Sequence, residues 1–172
     1  MNIFLIGYRC TGKTSVGIAL SQKLGLAFVD TDERLLKAEG ITIAEMVDRK
    51  GWEYFRRREK EIIQSICALD GQVVATGGGA VLDPANVKAM KSSGRLVWLQ
   101  AGPETIRKRM LGDDRTGDQR PALTCQSATD EIESILKDRM SYYRKAMDFS
   151  VDTDDRSIGE ICGLVVKRLD SE

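Results

Sequence analysis

Three features of the sequence predict an α/β fold, a three-layer α/β/α sandwich built on a five-stranded parallel sheet. Five short β-rich runs alternate with stretches of helical periodicity, a glycine-bearing loop joins the first run to the first helix, and 172 residues match one domain. The alternation decides the class. A strand, a helix and a further strand close as a parallel pair, and the crossovers lay helices over both faces of the sheet.

The elements follow in chain order. The apolar run 2–6 ends at Gly7, and beyond Thr14 the residues Val16, Ile18, Ala19, Leu20 and Leu24 recur at helical spacing, which reads as strand, loop, helix. Runs at 27–29, 72–75, 95–99 and 149–151 supply the other four strands. Thr42 with Glu45, and Ser157 with Glu160, have capping-box spacing, and Asp83-Pro84 and Gly102-Pro103 put proline in the first turn of two more helices. A helix over about 52–67 turns Phe55, Ile62, Ile63 and Ile66 to the core. Ile132, Ile135, Leu136, Met140, Tyr143 and Met147 form one apolar stripe; Ile158, Ile161, Cys162, Val165, Val166 and Leu169 form another. The exception is 112–126, a polar stretch with two glycines, three aspartates and two arginines, too long for a tight connection. With no internal repeat, low-complexity tract or linker, it is an insertion within one domain spanning 1–172.

Composition removes several function classes. Twenty-six basic and 26 acidic residues leave no net charge, so neither a nucleic-acid partner nor an anionic membrane is expected. The chain has no histidine, which excludes His general bases, His-centred triads and His-containing zinc sites. Cys10, Cys67, Cys125 and Cys162 are far apart with no CxxC pair, so neither a zinc knuckle nor a disulfide framework is indicated, and a reducing cytoplasm is the expected location. No secretory leader and no apolar run of membrane length is read.

Gly7-Tyr8-Arg9-Cys10-Thr11-Gly12-Lys13-Thr14 satisfies G-x-x-x-x-G-K-[ST] between a strand and a helix, the context that motif requires. In such a loop the backbone N–H groups of Arg9, Cys10, Thr11, Gly12, Lys13, Thr14 and Ser15 face a phosphate chain, Lys13 reaches the terminal phosphates and Thr14 ligates Mg²⁺. A nucleoside triphosphate is the implied ligand.

Three further groups narrow the chemistry. Asp30 and Asp32 close the second β run at its carboxyl end, where open α/β sheets bind ligands; alternation along an extended chain points both the same way, one for a metal and one for a substrate hydroxyl. The competing reading makes Asp32 the cap of a helix beginning near Glu33. Thr76-Gly77-Gly78-Gly79 closes the third run, and three glycines cost backbone entropy that close approach of a ligand would explain, a tight turn being the alternative. Arg49, Lys50, Arg56, Arg57, Arg58 and Lys60 outnumber Glu53 and Glu59 between 49 and 60. Most of these cations face solvent, while at least one can clamp a carboxylate in two-pronged fashion.

Taken together, the phosphate loop, Asp30-Thr31-Asp32, Phe55-Arg56-Arg57-Arg58-Glu59, Gly77-Gly78-Gly79, Arg120-Pro121 and Val151-Asp152-Thr153 resemble, in order and spacing, the shikimate kinases, small P-loop kinases of the nucleoside monophosphate kinase fold. The match runs from Asn2 to about Leu169, with Cys10 where many members have glycine and Ala122-Leu123 where a second leucine is commoner.

The resemblance implies transfer of the γ-phosphoryl group of ATP to the 3-hydroxyl of shikimate, with Mg²⁺, in a monomer. It implies that Lys13 holds the β- and γ-phosphates, that Thr14 and Asp30 serve the metal, and that Asp32 binds the shikimate hydroxyls. Arg56 and Arg139 would clamp the carboxylate, Gly77, Gly78 and Gly79 would line the ring pocket, and Glu59 would orient Arg56. Arg120 would close over the phosphates from a mobile lid at about 112–126, the domain also carrying a substrate-binding helical segment at about 33–61. Arg115 and Asp152-Thr153 would flank the adenine. A P-loop kinase of another hydroxylated acid, such as gluconate, and a nucleotide-dependent switch without turnover are the rival expectations. The N/T-K-x-D guanine-reading segment of small GTPases does not occur.

Overall fold

The computed structural model describes residues 1–112 and 131–171. The lid region at about 112–126, with Arg115, Arg120 and Cys125, lies almost entirely outside the described residues. Five strands, β1 (Asn2–Ile6), β2 (Ala27–Asp30), β3 (Gln72–Ala75), β4 (Gly94–Gln100) and β5 (Phe149–Asp152), form one parallel sheet in the order β2-β3-β1-β4-β5. Seven α-helices accompany it among the described residues: α1 (Lys13–Leu24), α2 (Thr31–Glu39), α3 (Ile43–Cys67), α4 (Pro84–Ser93), α5 (Pro103–Leu111), α6 (Ile132–Ala146) and α7 (Ile158–Leu169). The three-layer α/β/α sandwich expected from the sequence is the architecture found.

Because side chains alternate along a strand, β1 feeds two cores. Phe4 and Ile6 pack with Val74, Leu96 and Trp98 against α3, α4 and α6 through Ile63, Ile66, Met90 and Tyr143. Ile3 and Leu5 pack with Val73, Val97 and Leu99 against α1 and α7 through Val16, Leu20, Ile161 and Val165. Beyond the carboxyl edge of the sheet, Tyr8 joins Ile106, Met110, Ile132 and Ile135 between α5 and α6, and Leu35, Ile43, Met46 and Phe55 hold α2 to α3. Two residues leave the expected stripes: Met140 is 37% and Ile158 44% exposed, Ile158 because it begins α7 just after the Ser157 cap.

The register decides what meets at the carboxyl edge. Leu5 and Asp30 both pair with Ala75, Ile6 pairs with Trp98, and Gln100 with Asp152, so the strands end almost level. At the opposite edge a polar clasp closes the sheet: Asn2 Nδ2 donates to Leu69 O (2.8 Å), Asn2 Oδ1 accepts from Gln72 N (3.0 Å), and Gln72 Nε2 donates to Ile66 O (3.2 Å).

The start signals hold. Both capping boxes are formed, and Asp83 caps α4. Within α3, Gly51 (φ 80°, ψ 166°) breaks the helix, so the stretch capped by Thr42 and the helix expected over about 52–67 meet at a kink. One boundary differs from expectation. α2 begins at Thr31, and its cap is Asp30, which accepts from Asp32 N and Glu33 N. Asp32 is therefore in the first helical turn, and strand alternation is not what aims it. Among the described residues no helix is long and apolar enough to cross a membrane.

Candidate active site

The loop after β1 wraps over the start of α1. Lys13 is 8% exposed, and its Nζ donates to Gly7 O (2.8 Å) and Tyr8 O (2.6 Å), so the cation is held at the mouth of the loop by the loop's own carbonyls. Cys10 takes a left-handed conformation (φ 60°). Thr14 Oγ1 donates to Asp30 Oδ2 (2.9 Å), while the other oxygen of that carboxylate caps α2. Ser15 follows on the exposed side of the first turn of α1.

Hard oxygen donors suit Mg²⁺, which takes one or two protein ligands and fills the rest of its shell with phosphate and water. Thr14 and Asp30 supply such a pair, and no larger cluster of His, Cys, Asp or Glu that could hold a metal occurs among the described residues.

Arg9 behaves differently from its neighbours. Its guanidinium turns inward to a buried ion pair with Glu131 (Nη2 to Oε1, 2.7 Å), the two side chains being 7% and 0% exposed. Its backbone stays with the loop, and the expected nucleotide contact is thereby confined to the main chain. Tyr8 Oη is buried without a hydrogen-bond partner among the described residues, and burial pushes its pKa up.

Beside the loop lies a cleft lined by Asp32, Arg56, Glu59, Gly77, Gly78, Gly79 and Arg139, with Ile43, Trp52 and Phe55 as its apolar wall. The glycine run leaves little room for side chains at Gly77 and Gly79. A Cβ on Gly77 would stand 2.8 Å from Glu59 Oε1 and 2.9 Å from Asp32 Oδ1; one on Gly78 would stand 3.4 Å from Gly7 O. One on Gly79 would stand 2.6 Å from Arg56 Nη1 and closer still to Nη2. Without side chains, Gly77 admits Asp32 and Glu59, Gly79 admits Arg56, and Gly78 sets the cleft against the phosphate loop.

Of the cations between 49 and 60, local carboxylates occupy most. Arg58 bridges Glu39 (2.6 Å) and Glu61, Lys50 reaches Glu39 (3.2 Å), Arg49 pairs with Glu45 and Lys60 with Asp83. Arg56 faces the cleft. Glu59, 3% exposed, accepts from its Nη1 at 2.7 Å, and Phe55 and Trp52 flank the guanidinium at 5.0 and 5.6 Å. Burial pushes the Glu59 carboxyl above its ordinary pKa, with Arg56 opposing and Asp32 adding to the rise.

At the far side of the loop, Thr153 is buried and donates to Gln100 O (2.8 Å), while Asp152 is exposed and accepts from Asp154 N. Arg109 of α5 joins this segment to the loop, donating to Thr153 O (2.8 Å), Thr153 Oγ1 (3.0 Å) and Cys10 O (3.3 Å).

The described site residues named from the sequence therefore gather at one edge of the sheet, with Arg115 and Arg120 outside the described residues. Sequence reasoning missed Arg109, the turning-in of Arg9 to Glu131, and the hydroxyl of Tyr143, which donates to Gly78 O at 2.6 Å. One signal was available. Tyr143 follows Arg139 by four positions and so shares its helix face.

A family model for shikimate kinase matches residues 9–170. The shikimate kinase of Syntrophus aciditrophicus is 44% identical over 179 residues, covering 99% of this chain and 92% of that protein. Shikimate kinase 2 of Dickeya chrysanthemi is 38% identical over 163 residues, covering 95% and 93%. Among solved structures, shikimate kinase from Acinetobacter baumannii in complex with shikimate superposes with a TM-score of 0.91 at 28% identity, over 99% of this chain and 93% of that one. Shikimate kinase from Aquifex aeolicus gives 0.80 at 30% identity, over 99% and 97%.

Proposed function

The chain belongs to the shikimate kinase family, and from that premise we propose how its residues divide the work of its reaction. It phosphorylates shikimate with ATP, giving shikimate 3-phosphate and ADP, a step of chorismate and aromatic amino-acid biosynthesis. The observation that carries the reading is the cleft in which Arg56, Arg139, Asp32 and the glycine run adjoin the phosphate loop.

Arg56 and Arg139 hold the shikimate carboxylate, Arg56 presenting its planar fork because Glu59 fixes it from behind. Asp32 orients the attacking 3-hydroxyl and accepts its proton. Gly77, Gly78 and Gly79 line the ring pocket. The loop N–H groups from Arg9 to Ser15 hold the phosphates, and Lys13 exchanges its loop carbonyls for the β- and γ-phosphate oxygens. Thr14 and Asp30 hold Mg²⁺, which when bound neutralises charge on the phosphate oxygens. Thr153 and Asp152 border the adenine, with Arg109 bracing that wall. Arg115 and Arg120, outside the described residues, complete the adenine and phosphate contacts by family resemblance, Arg120 from a lid at about 112–126. The segment at about 33–61 and that lid are parts of one kinase domain over 1–172.

Phosphoryl transfer passes through a loose transition state, so these groups act by position and charge more than by covalent chemistry. The family resemblance implies a monomer, and the free thiols of Cys10, Cys67 and Cys162 fit a cytoplasmic protein. The test is ADP release coupled to a reporter, with shikimate, with gluconate and with neither. Release that requires shikimate bears out the reading; slow release indifferent to shikimate would overturn it.

A further inference from the structure

Tyr143 stands behind the cleft. It is 1% exposed, and its ring stacks on Trp98 of β4 with centroids 5.5 Å and planes 21° apart. Its hydroxyl donates to the Gly78 carbonyl at 2.6 Å, and both Gly78 and Gly79 line the cleft. Every described peptide bond is trans, so the Gly78 carbonyl and the Gly79 N–H share one plane and point in opposite directions. Whatever draws that carbonyl toward the core also sets the direction of the Gly79 donor. Glycine has no side chain with which to hold its own peptide plane. One turn earlier on α6, Arg139 lines the same cleft with its guanidinium close to the Tyr143 hydroxyl, where it draws the phenol downward against the burial that pushes it up to about 12.

We infer that Tyr143 is a positioning residue for the acceptor substrate: it fixes the Gly78–Gly79 peptide so that its N–H faces the cleft, and it seats Arg139 beside it. The inference rests on the assignment of this cleft to shikimate. A buried phenol needs only some acceptor. Tyr143 takes the one that orients the glycine run, between Trp98 at its face and Arg139 at its hydroxyl.

The test is Tyr143→Phe, which keeps the ring and its stack and removes the oxygen. KM for shikimate should rise about tenfold, the scale of one buried hydrogen bond, while KM for ATP stays at the wild-type value. Shikimate binding without nucleotide, followed by tryptophan fluorescence, should weaken by the same factor. Trp98→Phe disturbs the same core but leaves the hydroxyl in place; it should lower the melting temperature without separating the two KM values. A purely structural Tyr143 predicts that the two variants behave alike, and that outcome overturns the inference. So does a Tyr143→Phe enzyme with unchanged shikimate KM. Arg56→Lys distinguishes the premise: if it too leaves shikimate KM unchanged, the cleft assignment fails and carries the inference with it.

Discussion

Arg56 Nη1 lies 2.7 Å from Glu59 Oε2, one turn along the same helix, with the carboxylate 3% exposed and the guanidinium 31%. A carboxylate is therefore kept in the core to hold an arginine at the surface of the cleft. Burying a charge in this way costs stability even when it is paired.

Glu59→Gln separates that cost from the benefit. The folded protein holds the Glu59 proton more tightly than the unfolded chain, so this group's contribution to unfolding free energy falls as pH rises from the ordinary value of 4.5 through the raised folded one. Glutamine removes that decline. The variant should melt at or above the wild-type temperature at about pH 8, while KM for shikimate rises because a neutral amide holds Arg56 less firmly. Melting curves across pH with paired KM values check both halves. A lower melting temperature with unchanged KM would make Glu59 a structural partner only.

Gly79→Ala tests space. A methyl group there meets Arg56 Nη1 at 2.6 Å, so the guanidinium must shift. Shikimate affinity should fall about tenfold or more, as expected when a two-pronged contact is displaced, with nucleotide affinity retained. Equal losses for both ligands would point to collapse of the glycine turn.

Glu39→Gln addresses the arm that carries Arg56. Hydrogen bonds from Arg58 first, then from Tyr54 and Lys50, hold the Glu39 carboxyl down at about 2 against an ordinary 4.5. A lowered folded pKa contributes stability that is fully present above 4.5 and is lost as pH falls toward about 2. The variant should therefore melt several degrees below wild type at neutral pH, with the gap closing in acid. A gap independent of pH would assign the loss to packing.

Asp32→Asn should lower kcat by roughly 10²- to 10⁴-fold with ATP affinity retained, if Asp32 is the proton acceptor. ADP binding and single-turnover rates read the two effects separately. Loss of Mg²⁺-dependent nucleotide binding would instead make Asp32 a metal ligand.

The strands were legible because each is a short apolar run bounded by polar residues or glycine, and the phosphate loop because its pattern sits between a strand and a helix. Arg56 and Glu59 were named as a pair through the family resemblance, and they meet at i, i+3 spacing on α3. Asp30 and Asp32 were expected together at the carboxyl edge of the sheet, where they are, but strand alternation does not aim both, because the extended chain ends at Asp30 and a cap starts α2 there. Contacts between distant segments left no local trace. Arg9 and Glu131 are 122 positions apart, and Arg109 and Thr153 are 44 apart. Tyr143 was read as core, which it is; its hydroxyl's partner depended on how the glycine run folds against α6.

The clasp at Asn2, Gln72, Leu69 and Ile66 lies at the rim of the sheet opposite the cleft. Asn2→Ala should therefore shorten the lifetime of each molecule under heat while leaving the turnover of every survivor at the wild-type rate. That makes it a ruler for all the cleft variants. A sample that has lost activity because fewer molecules remain folded will follow the Asn2→Ala decay, whereas a sample of slower molecules will depart from it from the first time point, before any heating.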